Sequence, residues 1–110
     1  MKLESIFDHQ TGHLTIYGRA TEIPSDRFSS SSYKVKSVYI PQSVLSIGAR
    51  AFAGNILSEI SIPDSVATIG AEAFRGNKLT NVTIPYSVTT IGSAAFANNE
   101  ITEIAISNSV

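Results

Sequence analysis

Hydrophobic positions recur along this chain with a period of 22 residues. Each unit opens with an isoleucine followed by proline, passes through a valine and an Ile-Gly pair, and reaches an Ala-Phe pair. The opening isoleucines are Ile40, Ile62 and Ile84, and the phenylalanines are Phe52, Phe74 and Phe96. A repeat of this length is typical of a solenoid, in which each unit buries its apolar face only by stacking on its neighbours.

The second half of each unit predicts a β-strand. Leu57, Ile60 and Ile62 follow the Leu-x-x-Leu-x-Leu spacing of a leucine-rich repeat strand. The same spacing recurs over 79–84 and 101–106. Because side chains alternate along a strand, Ile60 and Ile62 should point inward, whereas Glu59 and Ser61 should point outward. The proline after each strand should end it, since proline has no N–H to continue a ladder.

The first half of each unit predicts the opposite side of the coil. In the central unit, Val66, Ile69, Ala73 and Phe74 should face the core, and Gly70 should allow a sharp bend. The segment from Ala71 to Phe74 suits a short helical or 3₁₀ turn. The expected fold is therefore a right-handed leucine-rich repeat coil, with parallel strands on one face and short helical or 3₁₀ turns on the other.

An asparagine recurs at the junction of the two halves, at Asn55, Asn77 and Asn99. Such a column could be a polar strip that binds a ligand. It could instead use its amides to hydrogen-bond buried backbone groups at the turn, and we favour this structural interpretation.

The chain of 110 residues, with 43% hydrophobic and 15% charged side chains, is expected to form one domain. The predicted division is an amino-terminal cap and degenerate repeat over 1–39, three 22-residue repeats over 40–105, and the start of a truncated fourth repeat over 106–110. Within the cap, a turn from Gln10 to Gly12 is expected to join two strands as a hairpin.

The repeat resembles the BspA-like leucine-rich repeat family, whose units read Ile-Pro-x-Ser-Val-x-x-Ile-Gly-x-x-Ala-Phe and then Leu-x-x-Ile-x-Ile. The match is close over 40–110 and looser over 14–39. Many family units carry a cysteine and one further residue where this chain has Gly54-Asn55, so its units are one residue shorter. The resemblance implies a bacterial or protist protein linked to adhesion and protein binding, usually at the cell surface or secreted.

Composition and motifs argue against several other classes of function. The net charge of −1 is too small to favour nucleic acid, and no apolar run is long enough to predict membrane insertion. With no cysteine, the chain has neither disulfides nor a thiolate metal site. His9, His13 and Asp8 form only a weak metal pattern, and no Gly-x-Ser-x-Gly motif suggests a hydrolase. We therefore expect no metal, no cofactor and no enzymatic activity.

The outward strand face is the predicted binding surface for a protein partner, because solenoids of this kind usually bind across such a face. Its residues are Ser37, Glu59, Asn81 and Glu103 in one column, Tyr39, Ser61, Thr83 and Ala105 in the next, and Gln42, Asp64, Tyr86 and Asn108 on a rim past the strands. A face that is merely solvated is the competing interpretation. If binding occurs there, Tyr39 and Tyr86 should be its anchors.

The carboxyl-terminal strand is the second predicted interaction site. No capping sequence follows it, so its unpaired edge could pair with a second copy of the chain as a homodimer. The edge residues are Ile101, Ile104, Ile106 and Val110.

No signal peptide is visible, which predicts a cytoplasmic protein if the chain is complete and a surface or secreted one if it is a fragment of a typical family member.

Overall fold

The computed structural model describes residues 3–29 and 34–106, which form nine short β-strands. These are β1 (Glu4–Asp8), β2 (His13–Tyr17), β3 (Glu22–Ile23), β4 (Ser37–Tyr39), β5 (Ser46–Ile47), β6 (Thr68–Ile69), β7 (Asn81–Ile84), β8 (Thr90–Ile91) and β9 (Glu103–Ile106). They pair in the orders β1-β2-β4, β3-β5-β6-β8 and β7-β9. All pairings but the first are parallel and join successive coils, a coil being one 22-residue repeat. This is the predicted leucine-rich repeat solenoid.

The amino-terminal hairpin is confirmed. β1 and β2 pair antiparallel along their whole length, and the Gly12 N–H closes the turn by donating to the Asp8 carbonyl oxygen at 2.8 Å. The φ of 76° at Gly12 is a conformation that favours glycine. Leu14 and Ile16 on the inner side of β2 are fully buried, so the hairpin covers the apolar face of the first coil.

A second parallel sheet lies on another side of the coils and was not predicted. Its inward column is Ile23, Ile47, Ile69 and Ile91, and its outward column is Glu22, Ser46, Thr68 and Thr90. Each of its strands is only two residues long. That is too short for an alternating pattern to be recognised in the sequence.

The predicted helical or 3₁₀ turns are wrong. Each coil instead carries a residue with left-handed backbone two positions before its phenylalanine, which interrupts any right-handed helix. These residues, here called the left-handed column, are Asp26, Arg50, Glu72 and Ala94, with φ from 56° to 60°. The N–H groups nearby donate to the next coil, as Phe74 does to the Ala95 carbonyl oxygen at 2.8 Å.

Within the described ranges, no helix is long and apolar enough to cross a membrane.

The glycine predicted at a bend has a different role. A Cβ added to Gly70 would lie 2.6 Å from the backbone nitrogen of Ala49 and 2.8 Å from the carbonyl carbon of Gly48, both in the preceding coil. Real Cβ atoms do not approach backbone so closely, so the glycine is needed for the contact between coils. The Gly70 N–H donates to the Ile47 carbonyl oxygen at 2.8 Å across the same contact.

A stack of phenylalanine rings forms the centre of the core. Phe28, Phe52 and Phe74 are fully buried, and Phe96 is half-buried. Successive ring centroids lie 5.6, 5.4 and 5.4 Å apart, with interplanar angles of 14°, 6° and 5°. Val66, Ile69 and Ala73 are buried around this stack as predicted.

The asparagine column has the structural role that we favoured. The Asn77 amide nitrogen donates to the carbonyl oxygens of Phe52 and Phe74, each at 3.0 Å, and its oxygen accepts the Leu57 N–H at 3.0 Å. Asn55 and Asn99 repeat this arrangement one coil before and one coil after. Each amide thus joins two coils and pairs backbone groups that would otherwise be buried without partners.

The predicted strand over 57–62 does not form. The Ile56 N–H still donates to the Val35 carbonyl oxygen at 3.1 Å, and the Leu57 carbonyl oxygen accepts the Lys78 N–H at 2.8 Å. Beyond this point, no backbone hydrogen bond joins residues 58–62 to β4 or β7, all of which lie in the described ranges. The strand face therefore has a gap in its hydrogen-bond ladder at the central coil.

Candidate functional site

The outward strand face is built as predicted at both ends of the solenoid. In β7 and β9, Asn81 lies opposite Glu103 and Thr83 opposite Ala105. The alternation in β7 buries Val82 and Ile84 and leaves the two outward residues exposed. Eleven predicted residues of the face and rim lie in the described ranges. All are exposed except Ser37, which is half-buried: Ser37, Tyr39, Gln42, Glu59, Ser61, Asp64, Asn81, Thr83, Tyr86, Glu103 and Ala105. Asn108, the other predicted rim residue, lies outside the described residues.

The face extends onto the hairpin, which sequence reasoning missed. Thr15 lies between Ile6 and Tyr39 in the strand registers, so these three side chains form a row across β1, β2 and β4. Ile6 is 63% exposed and Tyr39 54%, and Tyr17, two residues along β2 from Thr15, is 42% exposed. The alternation in β1 and β2 was the signal that could have found this apolar row. The hairpin was treated only as a cap.

Two grooves flank Ser61 where the ladder is interrupted. The smaller, of about 100 Å³, is lined by Val38, Tyr39, Ile40, Gln42, Ser61 and Pro63. The larger, of about 220 Å³, is lined by Ile60, Ser61, Ile62, Asp64, Thr83 and Pro85. They lie within the predicted binding surface, and the unpaired backbone of residues 58–62 runs between them.

Asp8, His13 and Ser37 share one row of the face, which raises the possibility of a catalytic triad. The His13 Nδ1 atom lies 2.7 Å from the Ser37 Oγ atom. Asp8, however, accepts hydrogen bonds from the backbone N–H groups of Gln10 and Thr11 at 2.8 and 3.2 Å. These bonds hold the pKa of the Asp8 carboxyl below its ordinary value. Because that carboxylate closes the turn instead of orienting His13, the row lacks the third member that a triad needs.

The histidines give no support to a metal site. The His9 ring packs edge-on against Phe7, with centroids 4.8 Å apart. The residues that the structure describes contain no group of three or more histidine, cysteine or carboxylate side chains arranged to hold a metal ion.

A third groove lies on the turn face, but its charges are already paired. It measures about 300 Å³ and is lined by Arg50, Ala53, Gly54, Glu72, Arg75 and Gly76. Arg50 bonds both oxygens of Asp26, at 2.9 and 3.1 Å, which raises its pKa. Arg75 lies 2.6 Å from a Glu72 oxygen. The remaining lining is alanine and glycine, so this groove offers few free groups to a ligand.

The carboxyl-terminal edge exposes apolar side chains. Ile104 and Ile106 in β9 are 53% and 76% exposed, although their register partners Val82 and Ile84 in β7 are buried. Ile101 is half-buried against the core. Val110, the fourth predicted edge residue, lies outside the described residues.

The coils, the asparagine ladder and the outward strand face define a solenoid of the leucine-rich repeat class. The chain belongs to the BspA-type leucine-rich repeat family, whose model matches residues 12–110 in six copies. Proteins with leucine-rich repeats generally serve in protein–protein interaction, and their fold is typically a non-enzymatic binding scaffold.

Two crystal structures share the fold. The pneumococcal vaccine antigen PcpA matches with a TM-score of 0.73 and 19% identity, over 98% of this chain and 36% of that one. The leucine-rich repeat protein TpLRR of T. pallidum matches with a TM-score of 0.56 and 22% identity, over 93% of this chain and 67% of that one. A search of curated proteins finds no match. At these identities the likeness shows the fold alone, and this chain spans only about a third of the pneumococcal chain.

Proposed function

We propose that this protein is a non-enzymatic protein-interaction module that binds its partner across the outward strand face. The observation that carries the proposal is the exposed apolar row of Ile6 and Tyr39, with Tyr17 beside it, next to two grooves on an otherwise polar surface. Aromatic side chains beside pockets supply most of the energy in protein interfaces. A face that is merely solvated would have no need of such anchors.

The tyrosines provide the test. Peptides selected from a random library on the immobilised protein would be measured against variants by calorimetry. Tyr39→Ala or Tyr86→Ala should weaken binding by well over about tenfold, because each substitution removes a large exposed anchor. Leu45→Ala is the matched control, since Leu45 is 52% exposed but lies next to β5, in the second sheet. Unchanged affinity in both tyrosine variants would place the binding site elsewhere.

Self-association through β9 is a second candidate function. It is favoured by the exposure of Ile104 and Ile106 and of Ile91 in β8, which is 46% exposed at the same end of the solenoid. A two-fold axis would pair one β9 edge with its copy and bury these isoleucines.

Light scattering over about a hundredfold range of protein concentration tests this candidate, since dimerisation follows mass action. A dimer is expected, and Ile104→Lys should make it monomeric by placing a charge in the apolar contact. The control is Leu45→Lys, which changes an equally exposed apolar residue away from that end. A monomer throughout would contradict self-association and leave the strand-face proposal unaffected.

A further inference from the structure

The outward strand face has a strongly one-sided charge. Glu4 and Asp8 in β1 and Glu103 in β9 occupy outward positions, with Glu59 and Asp64 between them. No lysine or arginine occupies an outward position of β1, β2, β4, β7 or β9 within the described ranges. Five of the nine acidic side chains of a nearly neutral chain thus share one face.

Four of the basic side chains lie in two other parts of the molecule. Arg50 and Arg75 are paired on the turn face. Lys34 and Lys36 precede β4 and line a separate groove with Phe7, His9, Gln10 and Gly12. The acidic character of the strand face is therefore not neutralised by neighbouring strands.

The groove beside Asp64 combines a carboxylate that has no ion-pair partner in the described part of the chain with backbone groups that have no ladder partner there. Among the described residues, the Asp64 carboxylate makes no ion pair and no side-chain hydrogen bond, and it is exposed at the groove wall. The backbone carbonyl and N–H groups of residues 58–62 have no ladder partner on either side. Thr83 adds a hydroxyl group to the same wall. Ser61 adds a second hydroxyl between the two grooves.

Such a groove suits a side chain that carries several donors and a positive charge. A guanidinium group has five N–H donors in a plane and no acceptor, and it forms charge-assisted bonds with carboxylates. It also stacks on aromatic faces, and Tyr39 and Tyr86 are exposed on the surface that holds the grooves. A lysine side chain would neutralise the Asp64 carboxylate, but it has fewer N–H donors for the carbonyl oxygens of the groove.

We infer that the partner of this module is a basic polypeptide segment, with an arginine side chain seated in the groove beside Asp64 and apolar residues packed on Tyr39 and Ile6. This inference rests on the proposed function, because it names the chemical class of partner for the same face. The other four carboxylates of the face supply a negative field that attracts such a segment and suppresses acidic competitors.

The library selection described above gives the first readout. Sequences recovered on the wild-type protein should be enriched in arginine and depleted of aspartate and glutamate, relative to the unselected library and to those recovered on Asp64→Asn. A synthetic peptide with the most frequent sequence is then compared with a copy in which each arginine is replaced by citrulline, which keeps the shape but removes the charge.

Two matched variants give the second readout. Asp64→Asn should weaken the arginine peptide by about tenfold, the usual scale of one charge-assisted hydrogen bond, and should leave the citrulline peptide almost unchanged. Glu22→Gln removes the same charge from β3, in the second sheet, and should change neither affinity beyond about twofold. Amide chemical shifts of Ser61 and Thr83 should move on titration with the arginine peptide.

The outcomes separate the inference from the proposed function. Peptides that need Tyr39 but show no arginine enrichment, or that bind equally to Asp64→Asn, would overturn the basic-partner inference and retain the strand face as a binding site. Peptides that are insensitive to Tyr39 and Tyr86 would overturn both. Equal losses in Asp64→Asn and Glu22→Gln would show a general charge effect and reject a seat beside Asp64.

Discussion

Phe74→Ala should lower the free energy of unfolding by about 3–5 kcal/mol. Phe74 is fully buried and has a stacked ring on each side, with centroid distances of 5.4 Å to both Phe52 and Phe96. Its truncation leaves a cavity between two coils whose backbones are fixed by hydrogen bonds, so collapse around the cavity is restricted. Urea denaturation monitored by circular dichroism measures the change.

The comparison with Phe96→Ala makes this prediction specific. Phe96 stacks on Phe74 and is only half-buried, so its loss should cost less. Leu45→Ala, at an exposed position, should change stability little. A larger loss for Phe96→Ala than for Phe74→Ala would contradict the description of the rings as a stack that is supported from both sides.

Asn77→Ala is expected to have an effect of similar size, about 3–5 kcal/mol, for a different reason. It removes no large apolar volume, but it leaves the Leu57 N–H and the carbonyl oxygens of Phe52 and Phe74 without their partner. Asn77 is only 6% exposed, so water has poor access to these groups. Thermal and urea unfolding of the variant measure the loss.

Two other asparagines serve as controls for this prediction. Asn99 makes the same contacts but is half-buried at the next coil, where water can replace more of the lost bonds, so Asn99→Ala should cost less. Asn81 is exposed on the strand face, and Asn81→Ala should be nearly neutral. Similar losses at all three positions would mean that the ladder contributes no more than an ordinary surface amide.

The parts of the fold that could be predicted from the sequence are those that repeat. The 22-residue period places Phe52 and Phe74 in register, and a volume as large as phenylalanine at a fixed position in each unit has to be buried against its equivalents. The same reasoning applies to Asn55 and Asn77, because a polar side chain recurring at a buried turn needs backbone partners. The phenylalanine stack and the asparagine column could both be predicted because the same residue type recurs at the same position of each repeat.

The turn conformation could not be predicted in this way. Ala71 to Phe74 contains good helix formers, yet the backbone at Glu72 is left-handed. The deciding interactions are hydrogen bonds to the next coil, such as the 3.0 Å bond from the Glu72 N–H to the Ser93 carbonyl oxygen. The helix propensity of a segment contains no information about a hydrogen-bond partner 21 residues away. The two-residue strands of the second sheet were missed for the same reason, because they also depend on hydrogen bonds between coils.

The candidate site was predicted only in part. The alternation in the repeats located Tyr39 and Thr83 on one face, and the rim position of Asp64 followed from the proline that ends the strand. The grooves depend on the missing ladder bonds of residues 58–62, whose sequence pattern is the same as that of 79–84. Because the two segments share a sequence pattern but differ in pairing, the hydrogen bonds along this face must depend on how the coils pack together.

The left-handed column also distinguishes neighbouring coils by the charge of one side chain. Its backbone conformation is the same in every unit, but its side chains alternate in sign from Asp26 to Arg50 to Glu72, and Arg50 reaches both neighbours, at 2.9 and 3.6 Å. Deleting the repeat that carries Arg50 would still leave one phenylalanine to stack on another in the core, but it would bring the carboxylates of Asp26 and Glu72 together. The core residues are similar in every coil, so it is the surface charges of the left-handed column that favour one order of the repeats. Ala94 carries no charge and therefore does not contribute to this selection.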